Sequence, residues 1–313
     1  MNLHQFKFVH EAVKRGLNLT EAAKALHTSQ PGVSKAILEL EEELGIDIFA
    51  RHGKRLKNLT EPGKHVLKSI DVILNELNNL KRIGDEFSAQ DSGTLSIATT
   101  HTQARYVLPQ LLTELRKQYP QVNISLHQGT PSQAAQMVMT EEADIAIATE
   151  SLANYPELVT LACYEWQHVL VMPPGHPLSL KKKPVTLKEL SQYPLVTYHP
   201  SFTGRQKIDL AFEAQGLEPN IALEAIDSDV IKTYVRIGMG VGIIAEMAVL
   251  PQIDADLVFR PASLLFGKNV ARLAFRKGAY LRQFVLEFAK LLNPKLSEKV
   301  IHEAMHQSFT QES

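Results

Sequence analysis

The 313-residue chain contains few of the features that define secreted, disulfide-rich or membrane proteins. Its one cysteine, Cys163, excludes an internal disulfide framework and a multi-cysteine metal site, and it makes a reducing compartment the expected environment. Charged residues interrupt the first thirty positions, so the apolar core of a signal peptide is missing. No stretch of about 18 apolar residues occurs that could cross a membrane. The sequence therefore predicts a cytoplasmic protein with no membrane partner.

Motifs that carry catalysis are also missing. There is no Walker loop, no GxSxG nucleophile motif and no HExxH zinc motif. Gly238, Gly240 and Gly242 alternate after a predicted helix, whereas a dinucleotide fingerprint follows a strand with GxGxxG spacing. The twelve histidines show no convincing metal-ligand spacing. We therefore predict that the chain is not an enzyme and holds no cofactor or metal, and a transferase that uses Cys163 is the alternative.

The charge balance of the whole chain conceals a basic segment. Lys and Arg total 33 and Asp and Glu total 34, yet residues 51–68 contain six Lys or Arg against the single acid Glu61. A neutral chain therefore does not exclude a nucleic-acid partner for one part of the protein. At about 150 residues per domain, the length suggests two domains.

The first sixty residues have the pattern of a helix-turn-helix followed by a β-hairpin wing. A first helix ends near Gly16, Thr20 is the predicted N-cap of the second helix, and Ser29 caps the third, with Pro31 in its first turn. The alternating segment 46–56 contains a glycine turn and a basic tip, which is typical of a hairpin. Small helical bundles without DNA contain similar helix pairs, so the short polar face of the third helix and the basic wing favour DNA binding. The predicted contacts to base edges and phosphates are Thr28, Ser29, Gln30, Pro31, Ser34, Lys35, Arg51, Lys54 and Arg55.

Residues 60–92 are predicted to form a linker helix and hinge. Its apolar residues follow the 4-3-4-3 spacing of a coiled coil: Val66, Ile70, Ile73, Leu77 and Leu80. Polar residues that include Asn75 and Asn79 are assigned to the opposite face. The apolar stripe could pack on its own domain, but its position favours a homodimer.

From residue 93 onward, predicted strands and helices alternate, with one long helix expected at 103–118. This pattern predicts an α/β domain with a mainly parallel sheet and two lobes around a cleft. The predicted domains are thus 1–59, a winged helix-turn-helix; 60–92, the linker; and 93–313, a two-lobed ligand domain. Lobe I comprises about 93–162 and 267–313, and lobe II comprises about 163–266.

Hydroxyl-bearing residues follow several predicted strands of this domain. Thr100, Thr102 and Gln103 follow a buried strand, Thr149 follows another, and residues 201–205 open a helix in the second lobe. Ligands of open α/β sheets bind at the ends of such strands, and helix N-termini suit an anion or carboxylate. Helix capping is the alternative explanation for any one of these threonines.

In this order of elements, the chain resembles the LysR-type transcriptional regulators over its whole length. The resemblance is carried by residues 19–23 (LTEAA), 28–34 (TSQPGVS), 40–45 (LEEELG) and 59–63 (LTEPG). Within the family, residues 99–106 (TTHTQARY), 146–150 (AIATE), 202–205 (FTGR) and 229–236 (DVIKTYVR) are similar to the effector domains of regulators of sulfur assimilation and cysteine biosynthesis.

The resemblance implies an effector domain like the type 2 periplasmic binding proteins, a homotetramer, double-stranded promoter DNA as ligand, and RNA polymerase as partner. It implies N-acetylserine or O-acetylserine as effectors, with sulfate or thiosulfate as opposing anions. The effector-binding residues carried over by motif are Thr100, Thr102, Gln103, Thr149, Trp166 and Thr203. The alternatives are a LysR-type regulator of another pathway with a different small anionic effector, and a cytosolic anion-binding protein.

Overall fold

A computed structural model describes residues 1–53, 55–88 and 92–310, with only the backbone described at residues 203 and 307–310. The chain divides into two compact units. Unit 1 comprises residues 1–85 together with 278–280, and unit 2 comprises residues 86–277 together with 281–313.

Unit 1 is a three-helix core with a two-stranded hairpin and a long helix. Its elements are α1 (Leu3–Lys14), α2 (Leu19–Ala25), α3 (Gln30–Leu44), β1 (Phe49–His52), β2 (Arg55–Leu59) and α4 (Glu61–Ser88), the last turn of which belongs to unit 2. The strands β1 and β2 pair antiparallel, as a wing requires. Val9, Ile37, Leu40 and Phe49 are buried in one hydrophobic core.

The caps of these helices confirm one prediction and correct another. Ser29 caps α3 and accepts a hydrogen bond from the Gly32 N–H, as predicted. The N-cap of α2 is Asn18 rather than Thr20, because the Asn18 side chain accepts from the N–H groups of Thr20 and Glu21. Asparagine is among the strongest N-cap residues, so the helix begins at the earlier position.

The long helix α4 begins where a glycine allows a close backbone approach. A Cβ atom on Gly63 would lie 2.0 Å from the Ile48 carbonyl oxygen, so only glycine fits at this position. The side chain of Thr60 accepts from the Gly63 N–H (2.9 Å) and donates to the Asp47 carbonyl oxygen (2.6 Å). These contacts fix the start of α4 against the segment that enters the wing.

The predicted coiled-coil stripe is divided between two environments. Ile70 is buried in the unit 1 core and Val66 packs against it, so the first part of the stripe stabilises its own unit. Ile73 and Leu80 are exposed, by 39% and 65%, and remain available for another surface.

The assignment of Asn75 and Asn79 to a polar outer face is wrong, because both are buried. Their amide nitrogens donate to the Gly278 carbonyl oxygen (3.0 and 2.7 Å), and the Tyr280 N–H donates to Asn79 Oδ1 (2.8 Å). Asparagine side chains at helical spacing thus bind a loop of unit 1 that is distant in sequence.

Unit 2 is an α/β fold. Its strands are β3 (Ser92–Thr99), β4 (Gln121–Gln128), β5 (Ile145–Ala148), β6 (Leu158–Met172), β7 (Leu195–Tyr198), β8 (Ile221–Ala225), β9 (Val241–Ala245), β10 (Val258–Pro261) and β11 (Lys268–Arg276). Its helices are α5 (His101–Tyr106), α6 (Leu108–Gln118), α7 (Pro131–Met139), α8 (Leu187–Leu190), α9 (Thr203–Glu213), α10 (Ser228–Arg236), α11 (Ser263–Phe266), α12 (Gln283–Leu292) and α13 (Glu298–Thr310). Two 3₁₀ helices span Glu150–Asn154 and Glu246–Ala248.

The strands follow the order β4-β3-β5-β11-β6-β9-β7-β8, with β10 paired to β6. Two parallel groups, β4-β3-β5 and β9-β7-β8, lie at opposite ends of this order. Between them, β11 pairs antiparallel with β5 and β6, and β6 pairs antiparallel with β9 and β10. The predicted mainly parallel sheet is therefore wrong at its centre, because the long strands β6 and β11 run through the junction of the two groups.

The helix predicted over residues 103–118 is two helices, α5 and α6, that meet at Val107. Pro109 lies in the first turn of α6. Its ring has no N–H to donate and clashes with the carbonyl four residues earlier, which ends the preceding helix.

Candidate functional site

A cleft in unit 2 collects the carboxyl ends of four strands. Thr100 follows β3, Thr149 follows β5, Phe202 follows β7 by four residues, and Met247 follows β9 by two. Within each of the two parallel groups the carboxyl ends lie at one edge of the sheet, which is where α/β folds bind ligands. The fold thus brings together short polar segments that are distant in sequence.

The cleft contains about 380 Å³ of empty space, including the open solvent at its mouth. None of the side chains that line it is charged. The lining residues are Thr100, Thr102, Gln103, Thr149, Trp166, Tyr198, Phe202, Gly204, Ala245 and Met247. Five of the six predicted effector residues therefore meet at one cleft, although their role in binding stays a prediction. The sixth, Thr203, begins α9, and its side chain lies outside the described part of the structure.

Hydrogen bonds fix the polar groups of α5 in the cleft. The Tyr164 hydroxyl donates to Gln103 Oε1, which leaves the two N–H donors of this amide for a ligand. The Tyr198 hydroxyl interacts with the Thr102 side chain, and it accepts from the Ala245 N–H (2.9 Å). Burial raises the pKa of Tyr198, so this hydroxyl stays protonated.

Trp166, which lines the cleft, and the neighbouring residues His168 and Asn269 carry buried polar atoms that have no hydrogen-bond partner in the described part of the protein. These atoms are Trp166 Nε1, His168 Nε2 and Asn269 Oδ1. The Trp166 and His168 rings contact edge to face, with centroids 5.0 Å apart. Burial lowers the pKa of His168 to about 3, so its imidazole is neutral.

Because Gly204 has no side chain, space remains next to the Trp166 and His168 rings. A Cβ atom at this position would lie 3.0 Å from His168 Nε2 and 3.3 Å from Trp166 Cη2. Any side chain would therefore press on the wall of the cleft, which explains why glycine suits the start of α9.

Polar pairs join the two groups of strands on either side of the cleft. The Tyr106 hydroxyl donates to Asp229 Oδ1 (2.7 Å), and Arg105 forms an ion pair with the same carboxylate. Lys207 of α9 forms an ion pair with Glu150 (2.5 Å) beyond β5. These contacts connect α5 to α10 and the end of β5 to α9.

One cluster in the described residues has atoms close enough to share a metal ion: His101, Asp227 and Asp229, whose ligand atoms lie within 4.8 Å of one another. Both carboxylates already have other roles. Asp227 caps α10 by accepting from the Val230 N–H, and Asp229 binds Tyr106 and Arg105.

Cys163 lacks the environment of a nucleophile. Its side chain is buried, and burial raises the pKa of the thiol to about 12. The reactive thiolate is therefore scarce near neutral pH.

The predicted DNA contacts of α3 lie at its N-terminal end. Thr28, Ser29, Pro31 and Lys35 are exposed, and the Gln30 and Ser34 side chains are half-buried. Their assignment to DNA stays a prediction.

The wing cations differ from one another. Arg55 is exposed, and Lys54 lies outside the described residues. Arg51 donates to Glu41 (2.6 Å), a carboxylate that is 5% exposed and also accepts from the N–H groups of Ile48 (2.8 Å) and Phe49 (2.9 Å). Arg51 thus connects the wing to α3, whatever further contact it makes.

The sequence patterns did not predict several of the residues that line the cleft. Tyr198 is the last residue of β7, Ala245 is the last residue of β9, and Met247 follows β9 by two residues. Strand ends were the available signal, because they mark the binding edge of the sheet. The Tyr164 contact to Gln103 spans 61 positions and had no local signal.

No helix in the described part of the chain has both the length and the apolar composition needed to span a bilayer. Comparison with known families matches residues 3–64 to the "Bacterial regulatory helix-turn-helix protein, lysR family" and residues 88–297 to the "LysR substrate binding domain".

Full-length relatives and solved structures agree with these matches. The chain is 56% identical over 305 residues, 97% of each protein, to "HTH-type transcriptional regulator CysB" of Burkholderia cenocepacia. It is 45% identical over 312 residues to "HTH-type transcriptional regulator cbl" of Escherichia coli K12, covering 100% of this chain and 98% of that one. The "Cofactor-Binding Domain of the Cbl Transcriptional Regulator" superimposes with a TM-score of 0.65 at 43% identity, over 68% of this chain and 94% of that one.

These relatives are named as regulators, so the prediction that the chain is not an enzyme is confirmed and the Cys163-dependent transferase is excluded. The chain thus carries the two parts that the matched families describe, a DNA-binding regulatory helix-turn-helix at residues 3–64 and a substrate binding domain at residues 88–297. The chain belongs to the LysR family of bacterial transcriptional regulators.

Proposed function

We propose that this regulator controls genes of sulfur assimilation and cysteine biosynthesis in response to N-acetylserine or O-acetylserine, with sulfate or thiosulfate as opposing anions. The observation that carries the proposal is the uncharged, hydroxyl-rich cleft in a chain 56% identical to a protein named CysB. The 49% identity over 301 residues to "HTH-type transcriptional regulator SsuR" of Burkholderia cenocepacia, 96% of this chain and 97% of that one, supports the same branch of the family.

The chemistry of the cleft suits small oxyanions and carboxylates. The hydroxyls of Thr100, Thr102 and Thr149 and the amide N–H groups of Gln103 donate hydrogen bonds without adding formal charge. Trp166 Nε1 is a donor with no protein partner, and a ligand oxygen would satisfy it. Because no cation lines the cleft, selectivity comes from the geometry of neutral donors and the dipole of the α9 N-terminus.

Effector binding would act by favouring one arrangement of the two lobes, which we assign to residues 93–162 with 267–313 and to residues 163–266. A ligand shifts such an equilibrium only by its difference in affinity for the two arrangements. The contacts of Tyr106 and Arg105 with Asp229 exist only when α5 and α10 are close, so they would count toward that difference.

For DNA recognition, we assign Gln30, Ser34 and Lys35 to the major groove and Arg55 and Lys54 to phosphates. The start of α3 would be positioned on the DNA by Thr28, Ser29 and Pro31. Arg51 would hold the wing near the phosphates of the DNA backbone. Glutamine pairs with adenine through two hydrogen bonds, whereas the cations carry no sequence information.

We propose that the chain forms a homodimer through α4 and assembles into a homotetramer on promoter DNA, where it contacts RNA polymerase. Exposed Ile73 and Leu80 are seven residues apart on α4, which is the spacing of a coiled-coil core.

The test is a calorimetric titration of the full-length chain with N-acetylserine, O-acetylserine, sulfate and thiosulfate. Thr102→Ala and Gln103→Ala are expected to abolish binding, because each removes a cleft donor. Thr113→Ala is the matched control, since its hydroxyl is exposed on α6 and donates only to the Pro109 carbonyl.

If none of the four compounds binds in the titration, the assignment to sulfur regulation is refuted. The chain would then be a LysR regulator of another pathway with a different small effector.

A further inference from the structure

The segment between β6 and α8, residues 173–186, is a long loop with a fixed backbone. Arg260 of β10 donates hydrogen bonds to the carbonyl oxygens of Leu178 (3.1 Å), Lys181 and Lys183 (3.1 Å). Thr186 and Glu189 form a capping box that fixes where the loop ends and α8 begins. Loops of this length without secondary structure are uncommon in compact domains and are usually functional.

This ordered loop presents lysines to solvent. We use the name lysine loop for residues 179–183, which have the sequence SLKKK. Lys182 and Lys183 are exposed, as is Lys188 on α8, and no carboxylate in the described part of the chain pairs with any of the three. Lys181 differs, because it forms an ion pair with Glu189. The backbone is thus held by one arginine, while neighbouring ammonium groups stay free.

We propose that the lysine loop is a second DNA-contact surface of this regulator, which binds duplex phosphates independently of sequence. The charge is complementary to DNA, the partner that the N-terminal domain of the same chain already binds. Once that domain is bound, a linked basic surface meets DNA at an effective concentration in about the millimolar range, so weak contacts suffice. A backbone ordered before binding also lowers the entropic cost of each contact.

The test compares the full-length chain with its Lys182→Ala/Lys183→Ala variant on a promoter fragment, by fluorescence anisotropy over a series of salt concentrations. Each lysine that contacts a phosphate contributes about one unit to the slope of log affinity against log salt. The variant is expected to bind at least about 3- to 10-fold more weakly at low salt, with a slope lower by about two for each protomer whose lysine loop contacts DNA, and with equal losses on unrelated duplexes.

The matched control is Lys295→Ala/Lys299→Ala, which removes two exposed lysines elsewhere in unit 2 and should bind like the wild type. Arg260→Lys keeps the charge but loses the bonds to three carbonyls, and its expected affinity lies between wild type and double variant. Unchanged effector titrations and melting temperature would show that each variant is folded.

If the Lys182→Ala/Lys183→Ala variant binds DNA with the same affinity and the same salt slope as the wild type, the proposal is overturned. The same is true if the variant keeps DNA affinity but loses transcription activation, because the lysine loop would then bind an acidic protein surface. Neither outcome depends on the identity of the effector, so the sulfur proposal and this one fail separately.

Discussion

The two regions that we propose as binding sites, one for DNA and one for a small molecule, differ in their charge. The start of α3 and the wing expose Lys35 and Arg55 to solvent, whereas the cleft of unit 2 is lined by hydroxyls, an amide and aromatic rings without a charge. DNA carries its charge everywhere, so exposed cations bind it without precise enclosure. A small molecule offers few groups, and it is recognised by enclosure and by buried donors whose geometry is fixed. Salt therefore ought to weaken the first interaction far more than the second.

Glu41 differs from the exposed charges of the DNA-binding unit, because its carboxylate is buried. Replacing Glu41 with alanine leaves Arg51 and the N–H groups of Ile48 and Phe49 without their acceptor. We expect Glu41→Ala to destabilise unit 1 by about 3 kcal/mol, since breaking a buried ion pair leaves its partner uncompensated. Hydrogen–deuterium exchange in α3 and β1 would measure the loss.

Glu39→Ala is the matched control, because Glu39 and Lys35 form an exposed pair at 3.7 Å that contributes little. Equal protection in the two variants would show that the buried carboxylate does not stabilise the wing.

The cleft also excludes charge from the buried imidazole of His168, and this exclusion makes the stability of the protein depend on pH. The pKa of His168 is about 3 in the folded state and about 6.5 when unfolded, so between these values the unfolded chain binds more protons. The contribution of His168 to stability is complete above pH 6.5 and is lost as the pH falls, by about 2 kcal/mol between pH 7 and pH 5. Urea unfolding followed by Trp166, the only tryptophan, measures it.

His168→Gln should show a smaller loss of unfolding free energy over the same pH interval. A variant with the same pH dependence as the wild type would mean that other groups cause the acid sensitivity.

The smallest expected effect concerns the contact across the cleft. Tyr106→Phe removes the hydroxyl that donates to Asp229 at 2.7 Å, a hydrogen bond worth about 1 kcal/mol. If effectors favour this arrangement of the lobes, their affinity falls about fivefold at most. Calorimetry with N-acetylserine is the measurement, and Tyr155→Phe is the control, because Tyr155 packs against the alanine-rich core that contains Ala146 and Ala148. An unchanged affinity for Tyr106→Phe would separate this contact from effector binding.

The sequence predicted local elements well where local interactions decide them. The Ser29 cap and the wing between β1 and β2 both depend on residues within a few positions of one another. The same reasoning missed Asn18 and the break at Val107, although the signals, a strong capping residue and Pro109, were present.

Other features could not be predicted, because they depend on contacts between distant residues. The sequence by itself determined the order of elements, the basic wing and the hydroxyl-bearing strand ends, since periodicity and turn chemistry act over one or two turns of chain. Only the tertiary structure decided that Asn79 binds a loop near residue 280, that Tyr164 orients Gln103, and that β6 and β11 run antiparallel through the sheet. Burial and hydrogen bonding at these places depend on which strands become neighbours, and local sequence patterns do not specify that choice.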